Sequence, residues 1–490
     1  MATITGDDQN NILVGLVEDD LIAPGLGRDI VDGGLGIDTL IVDYSASNRG
    51  ISYDAGSNPS AGTGTIRSSP NSIQFSNIET FKIIGTSLND RIFGGSGADD
   101  LDGGNGIDTL IKDLSRFTLP QLVDNTTSRL SLIDGTIARN FENLELIMGS
   151  GDDTILLNQG DNIIDGGPGT DTLVVNYSTS NRGISYDVGS NPAAGMGTIR
   201  SFQNSIQFSN IERFVIIGTA LNDRILAGSA TDDLDGGNGI DTLVHDLSRF
   251  APNQTVDNRT KNIRLIDGAA RNFENLELTL GSGNDTILLN QGDNIINGGL
   301  GIDTLVVDYS ASNRGISYDA GSNPSAGAGT IRSSPSSIQF SNIERFRITG
   351  TSLSDRIIGG STRDFLTGLG GEDTITGGKG SDQFIFDVGS KFTQKKIGVD
   401  TIEDFSRRDR DKIVLDKTTF TALRGRRVSF ASVKTLAEAE RSRALITYIR
   451  GTGDLFYNAN GATRGFGGGG HFARFDDGLA LAARDFVIQR

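Results

Sequence analysis

From the N-terminus to about residue 386, an apolar side chain returns every nine residues, in tandem runs at 24–41, 85–111, 148–174, 218–244, 280–306 and 350–385. The positions are Val31, Leu40, Ile92, Leu101, Leu110, Ile155, Ile164, Leu173, Ile225, Leu234, Leu243, Ile287, Ile296, Leu305, Ile357, Leu366, Ile375 and Phe384. Each sits in a short apolar–polar alternation, the pattern of a strand that turns one face inward. The residues between strands are rich in glycine and aspartate, which is the chemistry of tight turns. One inward side chain per strand makes a thin core that cannot hold a strand alone. The units must stack on their neighbours, and this predicts an all-β parallel solenoid, a β-roll or β-helix.

A longer repeat contains the short one. Gly33 to Leu40 recurs as Gly166 to Leu173 and as Gly298 to Leu305, a spacing of roughly 133 residues, so the chain grew by duplication. Two kinds of connector separate the tandem runs. One spans about forty residues, from Asp43 to Glu79, and returns from Tyr177 to Glu212 and from Tyr309 to Glu344. The other runs from Asp113 to Leu146 and again from Asp246 to Leu278. Alternations such as Ser72-Ile73-Gln74-Phe75 predict strands in them, as wider coils or short hairpins.

Within the nine-residue period, glycine favours the first, second and fourth positions and aspartate the sixth. The sixth-position aspartates are Asp29, Asp38, Asp90, Asp99, Asp108, Asp153, Asp171, Asp223, Asp232, Asp241, Asp285, Asp303, Asp355, Asp364, Asp373 and Asp382, with Asn162 and Asn294 in the same place. Glycine at those positions lets the backbone turn through positive φ and expose carbonyl oxygens, which the carboxylate then joins. Calcium takes six to eight oxygens, carbonyl and carboxylate mixed, at roughly 2.3–2.6 Å. Two facing turns from successive coils supply such a set.

Composition agrees with a hard cation as partner. The chain of 490 residues has 66 glycines, no cysteine, no tryptophan and a formal net charge of -18. Without cysteine there are no disulfides, thiolate metal sites or cysteine catalysis. The acidic balance disfavours nucleic acid and anionic membrane surfaces. No apolar stretch approaches transmembrane length, and the N-terminus lacks the basic and apolar segments of a cleaved export signal.

The Gly-Gly-x-Gly-x-Asp-x-aliphatic-x period resembles the RTX, or hemolysin-type, calcium-binding repeat, across most of residues 1–385. The resemblance implies a right-handed parallel β-roll over 1–386 that binds multiple calcium ions. It further implies carboxylate ligands at the aspartates named above, with the strongest expectation at Asp90, Asp99, Asp108, Asp223, Asp232, Asp241, Asp355, Asp364, Asp373 and Asp382. Carbonyl ligands are expected from Gly94, Gly97, Gly103, Gly106, Gly236, Gly239, Gly377 and Gly380. Asn162 and Asn294 remove the carboxylate, while Ala230 and Thr362 replace a fourth-position glycine, so weaker sites are expected there. The segment 387–490, with Asp400-Thr401-Ile402-Glu403-Asp404-Phe405 and the hairpin-like stretch 446–457, resembles the β cap of serralysin-like proteins. That likeness implies a C-terminal capping domain carrying an uncleaved signal for the type I secretion machinery.

The resulting expectation is a bacterial secreted or cell-surface protein that folds on meeting extracellular calcium. Its role is structural or adhesive, through self-association or cell-surface polysaccharide, and not enzymatic. Zinc-helix, nucleophile-elbow and phosphate-loop motifs are absent from the sequence, and the repeats begin near residue 6, which leaves no segment for a catalytic domain. The alternative is a carbohydrate-active β-helix, lyase- or epimerase-like, using connector acids such as Glu79 and Glu212. Of the two histidines, His245 is expected at the surface, in the slot that Lys112 fills one long repeat earlier, and His471 in a flexible glycine-rich loop.

Overall fold

The computed structural model describes residues 1–202, 204–461 and 464–489. It is built almost wholly of short strands, and its only α-helices among the described residues are Gln394–Ile397 and Leu436–Glu440. The chain divides into two compact units, Met1–Leu243 with Asp267–Asn272, and Val244–Ile266 with Phe273–Arg490.

In the first unit, successive nine-residue repeats alternate between two sheets. Thr3–Thr5, Leu21–Ala23 and Thr39–Asp43 belong to one, Ile12–Val14 and Arg28–Asp32 to the other. Two repeats therefore make one coil, and each strand pairs in parallel with the strand of the next coil. The parallel register sets Ile22 beside Leu40 and Leu40 beside Phe81. A second row aligns Val42, Ile83, Leu101 and Ala138. All of these side chains are buried. The periodic aliphatic positions thus form continuous internal rows, as a parallel sheet requires.

The connectors enter the same sheets. The forty-residue connector folds back as an antiparallel ribbon of Ser52–Tyr53, Gly64–Ser68 and Asn71–Ser76, and its last strand pairs in parallel with Arg28–Asp32. Ile66, Ile73 and Phe75 are buried within it. The shorter connector sends Leu122–Asp124 to pair with Thr154–Leu157 and Ile137–Arg139 to pair with Asp100–Asp102. Each connector ends as a solenoid strand and carries a short antiparallel arm outside the regular coil.

The second unit repeats this plan and extends it beyond residue 386. One sheet runs through Thr304–Asp308, Arg345–Thr349, Phe365–Thr367, Gln383–Phe386, Lys412–Asp416 and Phe486–Gln489, all parallel. Another passes from Thr374–Thr376 to Asp400–Ile402 and Gly470–Arg474, then turns antiparallel through Asp454–Tyr457 and Ile446–Ile449. Phe392, Phe420, Tyr457 and Phe472 form an aromatic cluster, with ring centroids 5.0–6.4 Å apart. The thin aliphatic row of the repeats gives way there to a thicker core.

Truncating a side chain in an internal row removes packing that no second layer replaces. Leu101→Ala is expected to cost about 2–5 kcal/mol of stability, whereas Ile37→Ala, at a residue 60% exposed, should fall within about 0.5 kcal/mol. Denaturant unfolding in saturating calcium measures both.

Candidate calcium sites

The sixth-position aspartates face inward at the turns and are buried. Their Oδ1 atoms do one job throughout: each accepts a backbone N–H from the preceding coil. The amide of Asp20 donates to Asp38 Oδ1 at 2.8 Å, Asp90 to Asp108 at 2.7 Å, Asp153 to Asp171 at 2.7 Å, Asp223 to Asp241 at 2.8 Å and Asp285 to Asp303 at 2.7 Å, always 18 residues apart. Asp355 donates likewise to Asp373 and Asp364 to Asp382, at 2.8 and 2.9 Å. One aspartate thereby fastens each turn to the turn above. Asn162 and Asn294 keep this bond, accepting from Leu144 and Leu276 at 2.8 and 2.9 Å, so the amide preserves the ladder while losing the charge.

The Oδ2 atoms divide the turns into two kinds. In the closed kind, an amide four residues back donates to Oδ2: Thr86 to Asp90, Thr219 to Asp223 and Thr351 to Asp355 at 2.6 Å each, and Gly228 to Asp232 and Gly360 to Asp364 at 2.7 Å. In the open kind, at Asp29, Asp38, Asp108, Asp153, Asp171, Asp285, Asp303 and Asp373, Oδ2 is buried without a hydrogen-bond partner. A buried carboxylate oxygen is costly to leave unmatched. The fourth turn residue separates most cases. It is Leu88, Leu221, Leu353, Ala230 or Thr362 in the closed turns, and glycine in the open ones.

The turn at 103–108 shows why. Gly104 and Gly106 lie at φ +95° and +136°, a region side chains resist. A methyl group on Gly104 would lie 2.1 Å from Thr86 O, one on Gly106 2.7 Å from Leu88 O, and one on Gly103 2.2 Å from Asn140 O and 2.8 Å from Asp108 Oδ2. A methyl on Gly85, one coil before, would meet Gly103 O at 2.2 Å. The stacked turns therefore bring main-chain carbonyls close to one another and to a buried carboxylate oxygen, Asp108 Oδ2, that has no donor. Gly236 and Gly377 offer their carbonyls in the same way beside Gly218 and Gly359, and Gly239 and Gly380 repeat the left-handed backbone of Gly106, at φ +137° and +131°. Among the described residues no three side chains of His, Cys, Asp or Glu gather in one place. Such a donor set, mostly carbonyl with one or two carboxylates, fits a hard divalent cation and suits neither zinc nor copper.

Burial pushes the open carboxylates upward: Asp108, Asp171 and Asp303 to about 7, with neighbouring carboxylates adding to it. Asp373 rises to about 8 by burial and then by the charge of Asp355, and Asp382 to about 7. Among the closed turns, burial raises Asp364 to about 8.

Several members of the ladder have no nonapeptide. Glu79, Glu142, Glu212 and Glu344 accept, through Oε2, the amides of Asp38, Asp108, Asp171 and Asp303 at 2.8–3.0 Å. Glu79 and Glu212, candidate acids for carbohydrate chemistry by sequence, are thus rungs of the ladder. The available signal was Asn-Ile-Glu or Asn-Phe-Glu at the end of each connector, where Asn77, Asn140, Asn210 and Asn342 take φ of 51–57° in place of glycine. Beyond residue 386, Asp400 and Asp411 receive the amides of Asp373 and Asp382 at 3.1 and 2.9 Å, and Asp404 receives those of Gly377 and Gly378 at 2.6 and 2.7 Å.

Three expectations change. His245 is buried, 3% exposed, because the fourth residue of Thr242–Asp246 faces inward. His471 lies in the strand Gly470–Arg474, its ring stacked on Phe456 at 4.8 Å, and not in a loop. The turn at 94–99, expected among the metal turns through Gly94, Gly97 and Asp99, holds the ammonium group of Lys112, whose Nζ donates to Gly97 O and Asp99 Oδ2.

Stacked glycine turns with inward carboxylates on a parallel roll define a calcium-binding β-roll. The model of the RTX calcium-binding nonapeptide repeat matches residues 5–40, 82–110, 149–174, 215–243, 277–305 and 349–384. The chain carries RTX calcium-binding nonapeptide repeats, and these repeats bind multiple calcium ions. Among solved structures, the extracellular lipase LipA from Serratia marcescens is similar at 14% identity with a TM-score of 0.12, covering 57% of this chain and 41% of the lipase. This chain therefore spans about two-fifths of that lipase. No curated protein matches it. No described helix is long and apolar enough to cross a membrane.

The raised carboxylates fix the sign of a pH effect. Their folded pKa lies above the unfolded value of about 3.9, so without metal the fold binds more protons than the unfolded chain. Metal-free stability should then fall as pH rises from about 4 to about 7, and calcium should bind more weakly as pH drops below about 7, where protons compete for Asp108, Asp171 and Asp303. Thermal melts of chelated and calcium-loaded protein across that range measure both slopes.

Proposed function

We propose that this is a secreted protein whose roll is completed by extracellular calcium and which then serves as a structural or adhesive element at the cell surface. The observation that carries the reading is the set of buried Oδ2 atoms without donors in the open turns of both units. Their carboxylates at Asp29, Asp38, Asp108, Asp153, Asp171, Asp285, Asp303 and Asp373 are the ligands of choice, with Asp241 and Asp382 in turns of the same glycine pattern. Closed turns contribute carbonyl oxygens instead.

Without metal, these carboxylates repel one another and the glycines carry a high ordering entropy. Calcium binding free energy becomes folding free energy. Affinities on the order of 10⁻⁴–10⁻³ M, usual for extracellular modules, keep such a chain loose inside the cell and ordered outside. Residues 387–490 serve as cap and as signal for type I export. The role is exercised through self-association or through binding to cell-surface polysaccharide.

Circular dichroism of chelated protein should gain β signal cooperatively on adding millimolar calcium. A spectrum indifferent to calcium would sink the folding switch. Asp108→Asn should lower the number of ions bound and raise the calcium midpoint, whereas Asp90→Asn, in a closed turn, should change stability with a smaller effect on stoichiometry; equilibrium dialysis separates them. Deleting 387–490 should abolish appearance in the medium of a host carrying a type I exporter.

A further inference from the structure

We propose that Lys112 is a built-in cation which takes the place of a calcium ion in the turn at 94–99, so that this turn closes without metal. The inference rests on the calcium reading of the open turns and adds a site at which that reading is replaced.

Lys112 is the fourth residue of the strand Thr109–Asp113 and faces inward. In the matching strands Thr39–Asp43, Thr172–Asn176 and Thr304–Asp308, that position holds Val42, Val175 and Val307, all buried. A lysine there is out of place unless its charge is matched, because a lone buried ammonium is among the costliest groups in a fold. Its side chain is 1% exposed, and Nζ meets five oxygens. These are Asp99 Oδ2 at 2.6 Å, Asp134 Oδ2 at 2.7 Å, Gly95 O at 2.9 Å, Thr136 Oγ1 at 3.0 Å and Gly97 O at 3.2 Å. Two carboxylates, two turn carbonyls and a hydroxyl around one cation form the donor set that calcium accepts elsewhere in such turns.

The surroundings are shaped for the lysine. A methyl group on Gly94 would lie 2.6 Å from Lys112 Cδ, so glycine leaves the passage its stem needs. Asp134 and Thr136 come from the connector that returns as Ile137–Arg139 beside Asp100–Asp102, and so the ammonium ties that connector to the roll. The backbone of this turn also differs from that of the next open turn, at 103–108. Gly95 and Gly97 keep out of the left-handed region that Gly104 and Gly106 adopt, and the Gly95 amide donates to Asp99 Oδ2 at 3.0 Å. An ammonium nitrogen supplies one charge where calcium supplies two, and it cannot diffuse away. The coils on either side keep a clamp at any calcium concentration.

The test uses the full chain crystallised with terbium, which enters calcium sites and scatters anomalously. Wild type should show peaks at open turns such as Asp108 and none within bonding distance of Asp99 Oδ2. Lys112→Ala should gain one peak between Asp99 and Asp134, and equilibrium dialysis with calcium should count one more ion per chain. A wild-type peak at Asp99, or a folded Lys112→Ala protein with loaded open turns and nothing at Asp99, would overturn the assignment. If Lys112→Ala does not fold, the wild-type map alone decides. Terbium at no turn at all would overturn the calcium assignment of the open turns, and this inference with it.

Discussion

A single bond type holds the architecture in register: a buried carboxylate oxygen accepting the amide of the turn one coil earlier. Parallel strands of three to five residues, with one inward aliphatic each, resist sliding only weakly along their own direction. The bond from Asp90 N to Asp108 Oδ1, which spans 18 residues and recurs from turn to turn, pins each coil to the next by a charge-assisted contact. Because Oδ1 is committed to that contact, only Oδ2 remains to meet the turn, and the backbone chooses what it meets. Left-handed glycines turn carbonyls towards it and call for a cation; any other residue at the fourth position lets an amide close on it.

This separates two duties that a consensus repeat merges. Asp90, Asp223 and Asp355 hold coils together and satisfy themselves, with a threonine hydroxyl adding a further bond at 3.0–3.1 Å. Asp108, Asp171 and Asp303 hold coils together and keep a charge in reserve. The two kinds come in short runs along each long repeat, so groups of self-sufficient turns such as Asp355 and Asp364 lie next to metal-dependent ones such as Asp373. A metal-free chain thus keeps local footholds from which ordering can spread.

The fold was legible because its determinants are local and periodic. The aliphatic eighth residue marks each strand, and the interval of nine makes Leu101 and Leu110 face one interior. Three things were hidden. The number of coils between Asp38 and Glu79 depends on how the connector folds back, which no local pattern reports. Glu79 and Glu142 replace aspartates at a distance from any glycine signature, and it is the three-dimensional register that turns the short Asn-apolar-Glu signal into rungs. Lys112 and His245 looked like surface residues because a nine-residue pattern tests one strand position, whereas the five-residue strands Thr109–Asp113 and Thr242–Asp246 bury a second.

The connectors end on the same rung from which they departed. The ladder spans 18 residues in the plain repeats, 27 and 29 at Asp400 and Asp411, 34 at Glu142 and 41 at Glu79, with the accepting oxygen always presented to the same amide. Loop-closure entropy grows only slowly with length, so the roll is indifferent to what lies between two rungs provided an acid returns at the second. Such a scaffold works as a rack with standardised sockets. New arms, grooves or epitopes can be spliced in at any coil by adding a segment that ends in Asn-apolar-Glu, and the metal-binding frame need not be redesigned to receive them.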